Sequence, residues 1–223
     1  RVKDIVIEPR RAQAEGRQSR KRLEEEAIAL LARVGLNAEQ ANRYPHQFSG
    51  GQRQRIGIAR ALSVRPKLII ADEPVSALDV SIQAQILNLM MDLRDEFGLS
   101  YLFVSHDLSV VHHIADRIGV MYLGFMVETA PRDQLFSQPK HPYTQVLLSA
   151  APTIDKSVEK PKIEIVGEVP SALRLPSGCC FRTRCPMAFD RCAEERPALK
   201  PQADGSSVAC HLHDTDSNTR SLS

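Results

Sequence analysis

Apolar residues recur at helical spacing along three parts of the chain. One stripe runs along residues 19–34, a second from Ser49 to about Val64, and a third along a segment that ends at Gly98. Spacings of three and four residues bring such side chains to one face of a helix, so the pattern predicts three amphipathic helices. The third stripe predicts core packing, and its members are Ile82, Ile86, Leu89, Leu93 and Phe97.

Shorter apolar runs predict β-strands between and after these helices. The runs LIIA, beginning at Leu68, and YLFV, beginning at Tyr101, are too short for helices and are typical of buried strands. A short helix is expected at residues 107–117, followed by strand-like runs at 118–123 and 125–129. Strands that alternate with helices predict an α/β fold with a parallel sheet, at whose carboxyl edge functional side chains gather.

Composition is that of a soluble globular protein, with 43% hydrophobic and 25% charged residues among 223. The net charge of +2 is too small to indicate a nucleic-acid partner. No apolar run approaches the roughly 18 residues of a membrane-spanning helix, so we expect any membrane role to be peripheral. Because the opening residues RVKDIVIEPR contain neither an initiator Met nor a signal region, we interpret the sequence as a fragment that lacks its upstream part.

The amino-acid composition of the sequence changes after Pro131. A linker rich in Lys and Pro runs to about Lys162, and a cysteine-bearing tail follows. We place a domain boundary near Thr153, which separates a first domain of residues 1–152 from an extension of residues 153–223. The last ten residues of the extension are expected to be disordered.

Two adjacent carboxylates end the first predicted strand, and a histidine ends the second. Asp72 is suited to a hydrated Mg²⁺, and Glu73 to the activation of a water molecule. His106 can donate a hydrogen bond to a terminal phosphate. Taken singly, turn carboxylates and a structural histidine are the alternative interpretations.

Two glycines stand at the start of the second predicted helix. Ser49 can cap that helix, while Gly50 and Gly51 let an anion approach the unpaired backbone N–H groups of its first turn. The pattern therefore predicts a phosphate-binding site at the start of this helix. A tight turn without a ligand is the alternative interpretation.

Four short motifs together resemble those of one enzyme family. FSGGQ, LIIADEP, SALD and SHD resemble the signature motif, Walker B motif, D-loop and H-loop of ABC-type ATPases, and they lie at 48–52, 68–74, 76–79 and 105–107. Further motifs are similar to the C-terminal extension of oligopeptide and dipeptide importer ATP-binding subunits. They are HPYTQVLLSAAP at 141–152, GEVPS at 167–171, SGCCFRTRCPMAFDRC at 177–192 and VACH at 208–211.

The resemblance implies a partial P-loop NTPase core and a role for each matching residue. Asp72 would hold Mg²⁺ through water, Glu73 would act as general base, and His106 would contact the γ-phosphate of ATP. Asp79 would couple the two sites of a dimer. The residues that would reach the nucleotide bound by the partner subunit are Ser49, Gly50, Gly51 and Gln52.

The cysteine-bearing tail predicts a metal centre. Thiolates are soft ligands, and without tight C-x₂-C pairs the set favours a [4Fe–4S] cluster over Zn²⁺, as the resemblance also implies. Its members are Cys179, Cys185, Cys192 and Cys210. Cys180, adjacent to Cys179, leaves the choice of ligand open, although spacing favours Cys179. Buried cysteines without a ligand are the alternative.

The resemblance implies an ATP-hydrolysing, energy-coupling subunit of a peptide importer. It would work as a nucleotide-sandwich dimer, peripheral on the cytoplasmic face of the plasma (inner) membrane. Its partners would be a second, identical or paralogous ATPase subunit, permease subunits and, indirectly, a substrate-binding protein, with no nucleic acid. The alternatives are a non-catalytic metal- or Fe–S-binding regulator and a soluble ABC ATPase that is not tied to transport.

One motif of the family is missing from the sequence. No G-x-x-x-x-G-K-[ST] occurs among the 223 residues, so the lysine-bearing phosphate cradle is absent. We therefore expect the polypeptide as given to show no ATPase activity.

Overall fold

A computed structural model describes residues 1–13, 19–150, 167–171 and 173–214. They form two compact units, Arg1–Ile114 and Ala115–Ser223. The α-helices are α1 (Val2–Gln13), α2 (Arg20–Arg33), α3 (Gly50–Leu62), α4 (Val80–Phe97), α5 (Leu108–Ile114), α6 (Arg132–Ser137), α7 (Pro142–Ala150) and α8 (Arg191–Glu194). The strands are β1 (Leu68–Asp72), β2 (Ser100–Val104), β3 (Arg117–Tyr122), β4 (Phe125–Pro131), β5 (Lys200–Pro201) and β6 (Ser207–Val208), and short 3₁₀ turns lie at Ala38–Asn42, Pro45–Gln47 and His211–His213.

The helices of the first unit bury the stripes that the sequence pattern indicates. The predicted helices correspond to α2, α3 and α4, and Gly98 ends α4 in the left-handed conformation, with φ of 63°. Ile86 and Leu93 of the third stripe are buried, whereas Phe97 is exposed and lies beneath the Arg33 guanidinium. The sequence pattern did not predict α1, which contains Pro9 and packs with α2 and α3.

Strands β1 and β2 pair in parallel, as predicted. Leu68 lies opposite Ser100, and Asp72 lies opposite Val104. One face of the pair contributes Ile69, Ala71, Tyr101 and Phe103 to the core of the first unit. The opposite face leaves Leu68, Ile70, Leu102 and Val104 exposed. Parallel sheets in α/β proteins are covered on both faces, so the described part of this sheet is only half covered.

The prediction of parallel neighbours is wrong for the strands of the second unit. β3 and β4 form an antiparallel hairpin, and β6 and β5 extend that sheet in the order β3-β4-β6-β5. The hairpin turn consists of Leu123 and Gly124, whose φ angles are 47° and 83°. Two consecutive left-handed residues are typical of a type I′ turn, which reverses the chain between neighbouring strands.

An aromatic cluster forms part of the core of the second unit. The Phe181 ring is fully buried and packs edge-on against Tyr122, with 5.2 Å between the ring centroids. His141 and Tyr143, which flank the first residue of α7, also pack against Phe181. The cluster joins the helix start at Pro142 to the cysteine-bearing segment.

The boundary between the two units differs from the predicted domain boundary. The chain divides after Ile114, between α5 and β3. The boundary proposed near Thr153 lies outside the described residues, as does most of the tail that was expected to be disordered. Among the helices of the described residues, none is long and apolar enough to cross a bilayer.

Candidate functional site

The ends of β1 and β2 bring two of the predicted site residues together. Asp72 is the last residue of β1, and Glu73 follows it with a φ of 45°, an unusual angle for a residue with a side chain. The Glu73 N–H donates to the Val104 carbonyl at 3.0 Å, which ties the two strand ends together. Asp72 and Glu73 therefore lie where the ends of β1 and β2 are joined.

The Glu73 carboxylate and the His106 imidazole are in hydrogen-bond contact. Nδ1 of His106 lies 3.0 Å from Oε1 of Glu73. A carboxylate only accepts, so Nδ1 carries the proton and Nε2 is left for another partner. Both side chains are half or more exposed, at 50% and 72%, so a ligand can reach them from solvent. The pair combines a proton acceptor with a group that can bind an anion.

The turn that carries His106 is fixed by its own side chains. The Asp107 carboxylate accepts hydrogen bonds from the N–H and hydroxyl of Ser109 and from the N–H of Val110, at the start of α5. The Ser109 hydroxyl is the main cause that holds the pKa of Asp107 below its usual value. The Ser105 hydroxyl accepts the N–H of Asp107 at 3.0 Å. The side chains of Ser105 and Asp107, on either side of His106, therefore fix the backbone of this turn through local hydrogen bonds.

The start of α3 is a capping box. The Ser49 hydroxyl accepts the N–H of Gln52 at 3.3 Å, and the Gln52 side chain accepts the N–H of Ser49 at 3.0 Å. Ser49 therefore caps the helix as expected. The first N–H groups of a helix have no carbonyl partner within it, so Gly50 and Gly51 retain the donors that an anion could use.

The glycines of α3 also have a packing role that sequence reasoning missed. A Cβ on Gly51 would lie 2.5 Å from Cγ2 of Ile82, and one on Gly50 would lie 3.2 Å from Cδ2 of Leu78. The start of α3 thus packs against the segment at 76–79 and the first turn of α4. Asp79 occupies the N-cap position of α4 without a side-chain capping bond.

The four predicted cysteine ligands line one cavity in the second unit. Its volume is about 310 Å³ including open solvent, and its lining includes Cys179, Cys185, Cys192 and Cys210. Burial raises the pKa of the Cys185 and Cys192 thiols and raises that of Cys210 to about 12. Within the part of the chain that the structure describes, no three Cys, His, Asp or Glu side chains are grouped closely enough to hold a metal ion.

Cys179 and Cys180 have different surroundings. Cys180 is buried outside the cavity lining, and its sulfur lies 3.8 Å from the Tyr122 carbonyl oxygen. Cys179 lines the cavity, and a hydrogen bond from Cys180, with a second from His141, lowers its pKa to about 4. Of the two adjacent cysteines, Cys179 is therefore the one that lines the cavity together with Cys185, Cys192 and Cys210.

Two histidines in the cavity lining were not predicted as site residues. Both ring nitrogens of His211 face oxygens, Nδ1 the Asp214 carboxylate at 3.1 Å and Nε2 the Glu195 carbonyl at 3.0 Å. His141 has its Nδ1 occupied by the N–H of Tyr143 at 3.0 Å, which leaves Nε2. The cysteine spacing did not indicate either residue, although His141 belongs to the HPY motif and His211 to the VACH motif.

Two family models match separate parts of the chain. The model described as "ABC transporter" matches residues 4–76. The model described as "Oligopeptide/dipeptide transporter, C-terminal region" matches residues 127–192. The first match includes α3 and β1, and the second includes three of the four cavity cysteines.

Curated relatives are similar over most of the chain. The oligopeptide transport ATP-binding protein AppF of Bacillus subtilis (strain 168) is 60% identical over 191 residues, which are 85% of this chain and 58% of the relative. The dipeptide transport ATP-binding protein DppF of Escherichia coli (strain K12) is 54% identical over 200 residues, which are 90% of this chain and 60% of the relative. The chain thus spans little more than half the length of the curated relatives it matches.

A solved structure supports the same family. The ATP-binding cassette MJ0796, in a dimeric post-hydrolysis state bound to ADP and Pi, matches with a TM-score of 0.51 and 31% identity over 59% of this chain and 56% of that one. The family matches, the identities and the shared fold lead to one conclusion. The chain belongs to the ATP-binding proteins of ABC transporters, in the branch of the oligopeptide and dipeptide transporters.

Proposed function

We propose that the chain is part of an ATP-hydrolysing subunit that powers peptide import through an ABC transporter. The observation that carries this proposal is the contact between Glu73 and His106 at the carboxyl ends of two parallel strands. That edge of an α/β sheet is where ligands bind, and this pair supplies a base beside an anion-binding group. The names of the curated relatives supply the peptide cargo.

Each polar residue at the sheet edge has a part in the proposed reaction. Asp72 would hold Mg²⁺ through water, because a strand-end carboxylate is a hard oxygen ligand. Glu73 would accept a proton from the attacking water, and His106 would donate from Nε2 to the γ-phosphate when its imidazole is protonated. In phosphoryl transfer the protein contributes chiefly positioning and charge neutralisation.

The start of α3 would serve the neighbouring subunit. Gly50 and Gly51 would present N–H groups to the γ-phosphate of a nucleotide held by the partner, with Ser49 and Gln52 beside them. Asp79 would couple the two nucleotide sites across the dimer. The dimeric state of the nucleotide-bound MJ0796 cassette supports this arrangement. Because Gly50 lies close to Leu78, the start of α3 and the 76–79 segment are neighbours in the structure.

The cysteine cavity would hold a [4Fe–4S] cluster, with Zn²⁺ as the alternative. Four cysteines around one cavity supply the kind and number of donors that such a cluster takes, and the described side chains would have to move closer together to bind it. Bound iron and sulfide would cross-link four positions spread along the extension from Cys179 to Cys210. We expect loss of the centre to lower the stability of this unit. Iron, sulfide and zinc analysis after anaerobic purification separates the cluster, zinc and empty alternatives.

The proposed location and partners follow from the same assignment. The subunit would lie peripherally on the cytoplasmic face of the plasma membrane, against permease subunits and a second ATPase subunit. A substrate-binding protein would deliver the peptide. We propose that the extension from near Thr153, whose strands β5 and β6 share a sheet with β3 and β4, carries the metal site. Co-purification with permease subunits from solubilised membranes tests this placement.

The catalytic assignment is tested by ATP turnover of the full-length protein in the assembled transporter. Glu73→Gln is expected to lower kcat by about 10²- to 10⁴-fold while ATP binding persists, because only the proton acceptor is lost. Glu25→Gln, at an exposed position of α2, is the matched control and should leave kcat unchanged. Undiminished turnover in Glu73→Gln would overturn the proposal.

A further inference from the structure

The turn that follows Glu73 is held by hydrogen bonds among its own residues. The N–H and the hydroxyl of Ser76 both donate to the Glu73 carbonyl, at 3.4 and 3.1 Å. Two residues further on, the N–H of Leu78 donates to the Val75 carbonyl at 3.1 Å. The Val75 side chain is buried in the core of the first unit. The backbone from Glu73 to Leu78 is therefore fixed by bonds near both of its ends.

A side chain of α4 also reaches this turn. Nε2 of Gln83 donates to the Val75 carbonyl at 3.0 Å, in a partly buried position. Because a carbonyl oxygen only accepts, the side-chain nitrogen of Gln83 must face it rather than the side-chain oxygen. The Val75 carbonyl thus accepts two hydrogen bonds, one from within the turn and one from the helix that follows it.

The residue before Gln83 contacts a different element, the start of α3. Cγ2 of Ile82 lies 2.5 Å from the position that a Cβ on Gly51 would occupy. Consecutive residues of an α-helix point in directions about 100° apart, so neighbours in sequence can serve two surfaces. The start of α4 therefore contacts both the turn after Glu73 and the helix start that we propose to reach the partner's nucleotide.

We propose that Gln83 is a positioning residue, which holds the backbone after Glu73 at a fixed spacing from the start of α3 through the Val75 carbonyl. This inference rests on the proposed role of Glu73 as general base. The left-handed backbone of Glu73, with a φ of 45°, persists only where neighbouring contacts hold it. A displacement of about 1 Å can lower a catalytic rate by about 10²-fold, so a residue that does not touch the substrate can still control kcat.

The test is steady-state ATP hydrolysis by the full-length protein in its assembled transporter. Gln83→Met keeps the length of the side chain and removes the donor, so kcat should fall by about 10- to 10²-fold while KM for ATP changes by less than about twofold. Asn88→Met, at an exposed position of the same helix, is the matched control and should leave both constants unchanged. Wild-type kcat in Gln83→Met would overturn the inference.

A double-mutant cycle separates positioning from a simple loss of folded protein. If Gln83 acts through Glu73, then Gln83→Met should have little further effect on the residual turnover of Glu73→Gln. A loss of folded protein would lower turnover by the same factor in both backgrounds. Equal factors would therefore overturn the inference.

A second variant covers the case in which Gln83→Met fails to fold. In Gln83→Glu the new carboxylate lies near the start of α4, where the helix dipole favours a negative charge, yet it cannot donate to the Val75 carbonyl. Its kcat should fall in the same way, and wild-type kcat in Gln83→Glu would overturn the role of Gln83 alone. Undiminished turnover in Glu73→Gln would overturn the proposed function, and this inference with it.

Discussion

The His106 imidazole lies 3.0 Å from the Glu73 carboxylate, although the two residues follow different strands and are 33 positions apart. The pairing depends on the parallel register of β1 and β2, which sets Asp72 opposite Val104. It depends also on the left-handed backbone of Glu73. A proton acceptor and an anion-binding group therefore share one exposed edge.

The backbone of Glu73 predicts that activity and stability can be separated there. Its φ of 45° is unfavourable for most side chains, whereas Asn adopts this region more readily. Glu73→Asn should leave the free energy of unfolding equal or slightly higher, while ATP turnover of the full-length protein falls by about 10²-fold or more. Chemical denaturation and an ATPase assay of the same preparation check both halves. A clear loss of stability in Glu73→Asn would contradict the proposed backbone strain at this position.

The missing Cβ of Gly51 predicts a packing defect on substitution. In Gly51→Ala the new methyl group would clash with Ile82, 2.5 Å away, and the free energy of unfolding should fall by about 1–3 kcal/mol. Gly57→Ala is the matched control, since nothing lies within 4 Å of its Cβ position, and it should stabilise α3 by about 0.5–1 kcal/mol. Denaturant midpoints give both values.

A double mutant tests whether Ile82 causes the Gly51 penalty. Truncation in Ile82→Ala removes the clashing Cγ2, so Gly51→Ala should cost less in that background. Equal penalties in both backgrounds would contradict the contact. Gly50 is the better position for testing anion binding, because a Cβ there meets only the flexible end of Leu78, at 3.2 Å.

Asp214 predicts a pH-dependent contribution to the stability of the second unit. Its side chain is 7% exposed and pairs with Lys200 at 2.7 Å and with Arg191 at 3.0 Å. Burial alone would raise its pKa, but the hydrogen bonds from Lys200 and His211 outweigh it, so the pKa lies below the usual value. The stability gained is therefore full above the unfolded pKa of about 3.9 and is lost as the pH falls through the lower folded pKa.

Asp214→Asn should accordingly lower the free energy of unfolding by about 1–3 kcal/mol near neutral pH. The difference from the wild type should shrink below about pH 4, where the wild-type carboxylate also becomes protonated. Asp133→Asn is the control, because an ion pair of an 80% exposed carboxylate contributes about 0–1 kcal/mol. A difference that stays constant down to about pH 2 would show that the charge of Asp214 is not the cause.

Local signals in the sequence predicted most of the first unit. Apolar periodicity gave α2, α3 and α4, and Ser49 marked a helix start that the structure confirms. The structure adds Gln52 as the second member of the capping box. The first helix was missed because Pro9 interrupts its pattern. The spacing of apolar residues along a helix depends on the geometry of that helix alone. These helices could therefore be predicted without knowledge of tertiary contacts.

Pairing and long-range contacts could not be predicted in the same way. The β3–β4 hairpin turns at Leu123–Gly124, and a leucine with positive φ carries no hairpin signal of the Asn-Gly kind. Strands β5 and β6 have two residues each and show no period. His141 reaches the cysteines only through the fold, since it lies 38 positions before Cys179.

We propose that the start of α3 closes over a nucleotide held by a neighbouring subunit. Photolabelling tests it most directly, using the full-length protein in its transporter and an ATP analogue with an azide on the γ-phosphate. We expect the label on the peptide that contains Ser49, Gly50 and Gly51. The labelling should be lost when the partner's nucleotide site is disabled, and it should also be lost in Gly50→Glu. Equal labelling of that peptide in dilute, strictly monomeric protein would contradict it.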